Sequence, residues 1–599
     1  MKILRIARPV AIVLAALIAL GVAAFALLRP LAASRIRALA RARGLELTWR
    51  RFDLGWPARA DLRGVVARRE GGDTLFTAAV AGARLRLLPL ITLHVRPDAV
   101  SLDGVRLHLP TTQAADLDTL APAPESGGPP VAPAVRQRAE ALARALLAPA
   151  RELPALRVSD VAVTRGDDSL LTLEALALDR EPAATHLALT GAWFGEDRVP
   201  FDLLVRWQDD DRLTGRAQFD VPEPGNPNAR PLVVSFDGRV SQDERGRELR
   251  IADGSALRIG DEGDRIEGVV DGVVALAGPR FRLDLALTSL SEKRILASVP
   301  RALLGPLAGL ELLGTFDWRA GFDLDFARPD SVSFHADVIP HGLALDHALS
   351  RPSPAALARP FTARILLPRG RVVTREMSAV NPHFRTLSRI SPYLRDAVLT
   401  NEDGAFWNHH GFNTGAIAMA IAANLRAGAY KRGAGTITMQ VARNLWLGHR
   451  RTLARKGQEA AMAWVVEHLS GLTKERLLEI YLNIIEWGPD VQGADEAARY
   501  FFATDAAGLS LDESLFLAIV VPSPAKWRWR FSSDGTLRPF ARAQMHFIAG
   551  KMAAKGWLDP EQVPPADSIR VTLRGPARAL FAAPALTAAP SDAPPGPAS

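Results

Sequence analysis

The sequence predicts a multidomain chain with an N-terminal transmembrane helix, a large antiparallel β-rich region and then a mainly α domain. Three observations carry this. Pro9 to Leu28 form 20 uncharged residues, enough to cross the hydrocarbon layer as a helix. From residue 45 to about 370, apolar and polar residues alternate at period 2, the spacing of half-buried strands. Near residue 385 the period becomes helical and stays so to about 555. At 599 residues, 48% of them apolar, the chain exceeds what one hydrophobic core organises and suits about three or four domains.

Lys2, Arg5 and Arg8 precede the apolar run, which puts residues 1–29 down as a cytoplasmic N-terminus plus anchor, with the rest across the membrane. The competing reading is a cleaved signal peptide, for which Ala24-Phe25-Ala26 supplies a small-x-small pattern. The run is longer than the usual signal core, which favours an uncleaved anchor. The expected location is therefore the inner membrane, single-pass, with the bulk of the chain in the periplasm. The net charge of +8 is scattered through the chain, mostly on arginine, without a lysine run. That argues against a nucleic-acid partner and leaves anionic lipid or phosphate. Without cysteine there are no disulfides and no thiolate metal sites.

The β-rich region shows its alternation in "ARLRLLPLITLHV", "LRVSDVAVT", "LTLEALALD", "FDLLVRWQ" and "FRLDLALTSL", separated by turn clusters such as "RGDD" and "PEPGNPN". A Pro/Ala-rich stretch, "APAPESGGPPVAPA", and a helical segment near 135–149 interrupt it. No dense cluster of His, Asp and Glu appears there, so a sheet assembly without chemistry is the plain reading. The anchor followed by "ASRIRALARARGLELTWRRFDLGW" and repeated strands resembles the N-terminus of AsmA-like envelope proteins. The resemblance implies a periplasmic β-module over residues 30–370, with an apolar groove for lipid.

In the helical block, Ser391-Pro392, Thr473 and the Ser510-x-x-Glu513 capping box mark helix starts. Residues 575–599, ending "ALTAAPSDAPPGPAS", read as a disordered Ala/Pro-rich tail. Four segments between the caps carry chemistry. In the helix that begins at Ser391 and leads into "NEDGAFWNHHGFN", Leu394, Val398 and Glu402 recur at i, i+4 and i+8, so an apolar stripe runs into Glu402. A carboxylate placed there is partly desolvated, which raises its pKa towards that of a general base. Adjacent histidines His409 and His410 cannot both reach one ion from regular structure, so a metal site is disfavoured.

The second segment, "KRGAGTITMQVARNLW", turns at Gly433 and Gly435 into a helix whose Thr436, Gln440 and Arg443 or Asn444 share a face. With Lys431 and Arg432 before it, this is a phosphate cradle or a capped surface helix. Third, Arg455 and Lys456 precede Glu459 on one helix side, the spacing of a surface ion pair. Fourth, "KERLLEIYLNIIEWG" carries the polar i, i+4 pair Glu479 and Asn483.

Together these segments resemble glycosyltransferase family 51, the peptidoglycan glycosyltransferases of penicillin-binding proteins and of monofunctional enzymes. The family pattern E-D-x-x-F-x-x-H-x-G is similar to Glu402, Asp403, Phe406, His409 and Gly411. Gly433 to Asn444, with Thr436 and Thr438, resembles its second motif, Arg455-Lys456-x-x-Glu459 its third, and Lys474 to Asn483 its fourth. The resemblance covers residues 380–540 and implies a lysozyme-like α domain over about 380–555. It implies that lipid II and a growing glycan strand are the substrates, that Glu402 is the base, and that Glu459 orients cations or helps hold a divalent metal, Mg or Mn, on the pyrophosphate. Arg432, Arg443, Arg455 and Lys456 would face that pyrophosphate, and Asp403 would fix local backbone. Asp403, Phe406, His409, Thr436, Thr438, Gln440, Asn444, Glu479 and Asn483 join the substrate site by the same resemblance, and cell-wall synthesis proteins are implied partners.

This chain departs from the family at Gly435 (usually Ser), Met439 (usually Gln) and Arg443 (usually Lys). Three rival readings follow. Ser523-x-x-Lys526 matches a transpeptidase S-x-x-K, but no K-T-G follows. Glu513-Ser514-x-Phe516 is similar to a lytic transglycosylase motif, although a capping box already accounts for Glu513. A non-catalytic envelope protein that binds lipid or glycan through a degenerate domain is the third.

Overall fold

The computed structural model describes residues 33–581 apart from short stretches, of which 86–96 and 110–130 are the longest. The predicted span Pro9–Leu28 lies outside the described residues; among those described, no helix is long and apolar enough to cross a membrane. The chain forms two compact units. The first holds residues up to Ala302 with Thr315–His341 and Ala418–Arg432; the second holds Leu303–Gly314, Gly342–Ile417 and the chain from Gly433.

The first unit is built on one 16-stranded sheet that runs from Leu45–Thr48 to Ser333–Leu345, with spatial order following chain order almost throughout. The register sets its two faces. Leu189 pairs with Leu203, Leu203 with Ala217, Ala217 with Val234 and Val234 with Ile259, so one row of the sheet is wholly apolar. The opposite face carries cross-strand pairs such as Arg157–Asp179 at 2.9 Å and Arg212–Asp237 at 2.9 Å. Each exposed pair adds little stability, but a one-residue slip would turn every charge onto the apolar side, so the pattern fixes register.

The expected antiparallel-rich region is present, and one pairing within it is parallel. Strand Pro97–Leu109 runs parallel to Ala155–Arg165, with Val100 opposite Leu156 and Leu107 opposite Val163; the other pairs of described register are antiparallel. Parallel neighbours need a long crossover, and the interrupting stretch supplies one with its helix Pro133–Leu147. The last strands read with this region, Thr362–Leu366 and Val372–Glu376, pair with each other and place Ala363 and Ile365 in the core of the second unit.

The helices of the second unit that build its site are α1 (Pro392–Glu402), α2 (Ile437–Ala442), α3 (Leu453–Leu469), α4 (Lys474–Ile484), α5 (Ala494–Phe502), α6 (Leu511–Val520) and α7 (Pro539–Ala554). One hydrophobic cluster joins them, including Leu394, Val398, Val441, Leu478, Phe501 and Phe516. Ser391 precedes α1 but does not cap it; its hydroxyl donates to Leu509 O at 3.0 Å and so ties α1 to the start of α6. Thr473 accepts from Arg476 N at 3.2 Å, and both arms of the Ser510/Glu513 box are made. Ser510→Ala is therefore expected to lower stability by about 1 kcal/mol, read as a drop in Tm with an unchanged circular dichroism spectrum.

The disordered tail expected from residue 575 is corrected at its start. Pro576–Phe581 is a 3-10 turn with Ala577 buried, and Phe581 packs its ring 5.4 Å from Phe531 and 5.9 Å from Trp527. An apolar pair within Ala/Pro-rich sequence was enough to dock it. Residues 582–599 lie outside the described residues.

Candidate active site

Glu402 is the last residue of α1, and the stripe that delivers it is intact: Leu394 and Val398 are fully buried beneath it. Its carboxylate accepts from Asn401 Nδ2 at 3.0 Å and from Gln440 Nε2 at 2.9 Å. Burial pushes the carboxyl above the ordinary range, and the hydrogen bond from Gln440 and the nearby charge of Arg443 only partly oppose it. Gln440 is held at its other end, where its Oε1 accepts from Arg443 Nη2 at 3.2 Å and from Tyr481 Oη at 3.4 Å. Burial pushes the Tyr481 phenol well above its usual range, so it remains a donor. One amide thus joins a carboxylate to a guanidinium, which the i, i+3 spacing of Gln440 and Arg443 permits.

Asp403 lies one residue on and does different work. Its carboxylate meets His409 Nε2 at 2.9 and 3.0 Å and accepts from Ile437 N at 3.0 Å, at the start of α2. It therefore ties the loop after α1 to the helix that carries Gln440. Asp403→Ala strands the buried Ile437 amide and the His409 ring. The expected cost is about 1–3 kcal/mol for the unsatisfied donor alone, seen as a lower denaturation midpoint in urea together with lower activity.

Thr436 caps α2 by accepting from Met439 N at 3.2 Å and donates its own hydroxyl to Gly411 O at 2.5 Å. Thr438 is buried and donates to Glu467. Asn444 is buried in the π-turn Arg443–Leu447 that follows α2. On α3, the Lys456 ammonium pairs with the buried Glu459 at 2.7 Å while remaining half-exposed itself, and Arg455 Nη1 donates to Gln458 Oε1 at 3.0 Å. Arg432 groups with the first unit; its backbone N–H donates to Asn424 Oδ1 at 2.9 Å.

Three residues placed with the substrate by the family resemblance have their side chains engaged within the protein. Phe406 is fully buried, with Lys474 Nζ 4.2 Å over its ring. Glu479 accepts from Leu387 N at 2.8 Å and pairs with Arg476. Asn483 accepts from Arg385 N at 2.9 Å and donates to Arg385 O at 2.8 Å. Their polar atoms are spent on backbone at 385–387, and ring burial leaves Phe406 nothing to present.

Sequence reasoning missed three groups. Glu467 is buried, accepts from Thr438 and pairs with Lys474 at 2.7 Å, joining α2, α3 and α4; its spacing of eight from Glu459 on the same helix was the available signal. His449 Nε2 donates to Leu366 O at 2.8 Å, and burial followed by the charge of Arg443 holds its pKa down. Lys555, just after α7, donates to Gly404 O at 2.7 Å, two residues beyond Glu402 in the chain. Neither of the last two falls in a motif. Among the described residues, no three His, Asp or Glu side chains gather as a metal site.

The model of the family described as Transglycosylase matches residues 369–552. Over 185 residues the chain is 38% identical to a biosynthetic peptidoglycan transglycosylase of Alcanivorax borkumensis, covering 31% of this chain and 73% of that protein. A namesake from Pseudomonas aeruginosa is 46% identical over 169 residues, 28% of this chain and 69% of its own length. One from Paraburkholderia xenovorans is 39% identical over 166 residues, 28% of this chain and 66% of its own.

Proposed function

The chain belongs to the transglycosylase family, and from that premise we propose that its second unit extends glycan strands from lipid II with inversion at the anomeric carbon. It is a peptidoglycan glycosyltransferase. The observation that carries the mechanism is the Glu402–Gln440–Arg443 chain, which sets a carboxylate of raised pKa and a cation at the two ends of one amide. Glu402 takes the proton of the acceptor's 4-hydroxyl as that oxygen bonds to the donor's anomeric carbon. The bond from that carbon to the diphosphate breaks, and its electron pair leaves with undecaprenyl pyrophosphate. The leaving group needs positive charge rather than a proton, and Arg443, Arg455 and Lys456 supply it. Glu459 holds the Lys456 ammonium for this purpose.

Two departures from the family pattern are compatible with activity. A Cβ at Gly435 would meet nothing nearer than Lys456 Nζ at 4.0 Å, so the missing serine leaves space rather than a distortion. Arg443 keeps the positive charge of the usual lysine in a planar, forked form. Among the described residues no group of His, Asp or Glu gathers as a metal site, and a divalent cation, Mg or Mn, would be held jointly by the substrate's diphosphate and Glu459. An anchor at Pro9–Leu28 would hold the enzyme on the inner membrane with both units in the periplasm, where its substrate is displayed. An AsmA-like role for the first unit and contacts with other cell-wall synthesis proteins complete the proposal. The test is polymerisation of labelled lipid II by the purified full-length protein; absence of polymer across detergents and divalent cations would overturn it.

A further inference from the structure

The first unit carries an apolar surface that its described residues leave part-exposed. Where the sheet begins, the side chains of Val65, Ala78, Val105 and Val161 are buried, with Leu47 and Trp49 packed on them. Near its other end, Ile266, Leu287 and Leu290 are buried under Ile295 and Val299. The helix Pro133–Leu147 packs on the strands Glu248–Ile259 and Ile266–Ala275, where Ser255 and Val270 of this face are buried. Between there and the first plug, the strands from Asp168–Glu181 to Leu232–Gln242 keep the same apolar row, with Leu189, Phe201, Leu203, Trp207, Phe219 and Phe236 part-exposed. The registers put these residues on one side and Arg206, Arg216, Asp202 and Asp237 on the other. Five strands at about 4.8 Å spacing make the open stretch about 19 Å wide, with strands of up to 14 residues running across it. A continuous apolar patch of this extent on a protein marks a binding surface.

Resting on the lipid II reading, we propose that this face holds the long polyprenyl chain of the transferase's lipid-linked substrate or leaving group. A protein strand is a poor occupant, because each central strand is already hydrogen-bonded on both edges and offers nothing to peptide backbone. A charged or sugar headgroup finds no partner on a row without charges. A phospholipid acyl tail spans only about 15 Å, half a hydrocarbon core, and would leave much of the face wet. A polyprenyl chain is uncharged, much longer, and can lie across many strands.

Adjacent residues provide the test, because Leu203 points to the apolar face and Leu204 to the charged one. Benzoylphenylalanine is placed at 203 or at 204 in the full-length protein, which is irradiated with tritiated undecaprenyl phosphate in detergent. About tenfold more label is expected at 203 than at 204, since alternate residues face opposite sides. Unlabelled undecaprenyl phosphate should displace it, and the same amount of phosphatidylglycerol should not. Phe236→Asp should remove the label at 203, because a carboxylate cannot lie against hydrocarbon. Equal labelling at both positions, equal displacement by phosphatidylglycerol, or no label at 203 would each overturn the proposal. Lipid II polymerisation by the same preparations separates the outcomes: polymer without label sinks this inference alone, and no polymer sinks the transferase reading.

Discussion

Glu402→Gln should reduce lipid II polymerisation by about 10²- to 10⁴-fold, the usual contribution of a positioned general base. The amide is nearly isosteric and cannot accept the acceptor's proton. The native enzyme should also show an acid limb in kcat/KM above the ordinary carboxylate range, because burial raises the Glu402 pKa and the base works only when ionised. The same shift has a stability consequence of definite sign. A carboxyl whose folded pKa lies above its unfolded pKa imposes no cost while protonated; the cost of its buried charge appears as pH rises through the folded pKa. Glu402→Gln removes that titration. The Tm of the variant minus that of the native protein should therefore become more positive as pH rises above the ordinary carboxylate range. A difference that is flat with pH would mean that Glu402 is not buried as a charge, and a variant that still polymerises would remove it from catalysis.

How much of this site was legible in the sequence depends on how local the signal is. The stripe Leu394–Val398–Glu402 and the shared face of Thr436, Gln440 and Arg443 are properties of single helices, and each is present as spaced. Period alone could not say what these faces meet. Glu479 and Asn483 form a polar i, i+4 pair that could equally have served a ligand; their partners are backbone groups at 385–387, about a hundred residues earlier. Asp403 and Ile437 are joined across 34 residues, and no local pattern encodes that bond. In the sheet, alternation gave the strands and their two faces. The parallel pairing of Pro97–Leu109 with Ala155–Arg165 depends instead on where a crossover lands, and it was marked only by the helix that interrupts the strands. Phe406 is a further case: its motif position says nothing of burial, and its ring is fully buried.

Arg443→Ala should be the next most damaging change, and it should act in two separable ways. Arg443 opens the π-turn after α2, and one arm of its guanidinium donates to Gln440. Among the described residues its buried Nε has no hydrogen-bond partner, which leaves that donor free for an oxygen of the diphosphate. Removing a preorganised donor from a developing anion costs about 10²- to 10³-fold in rate, so kcat should fall by that order. The second effect falls on the base. The Arg443 charge pulls the Glu402 pKa down against burial, so its loss should move the acid limb of the pH–rate profile to higher pH. Arg443→Lys separates the two effects: it restores the charge and so the position of the limb, while lacking the fork that can serve Gln440 and a phosphate oxygen together. Its kcat should lie between those of the alanine variant and the native enzyme. If alanine and lysine gave the same limb, Arg443 would not be setting the base. If alanine kept kcat within a few fold, the diphosphate charge would have to be met elsewhere, with Lys456 beside Glu459 the first position to test.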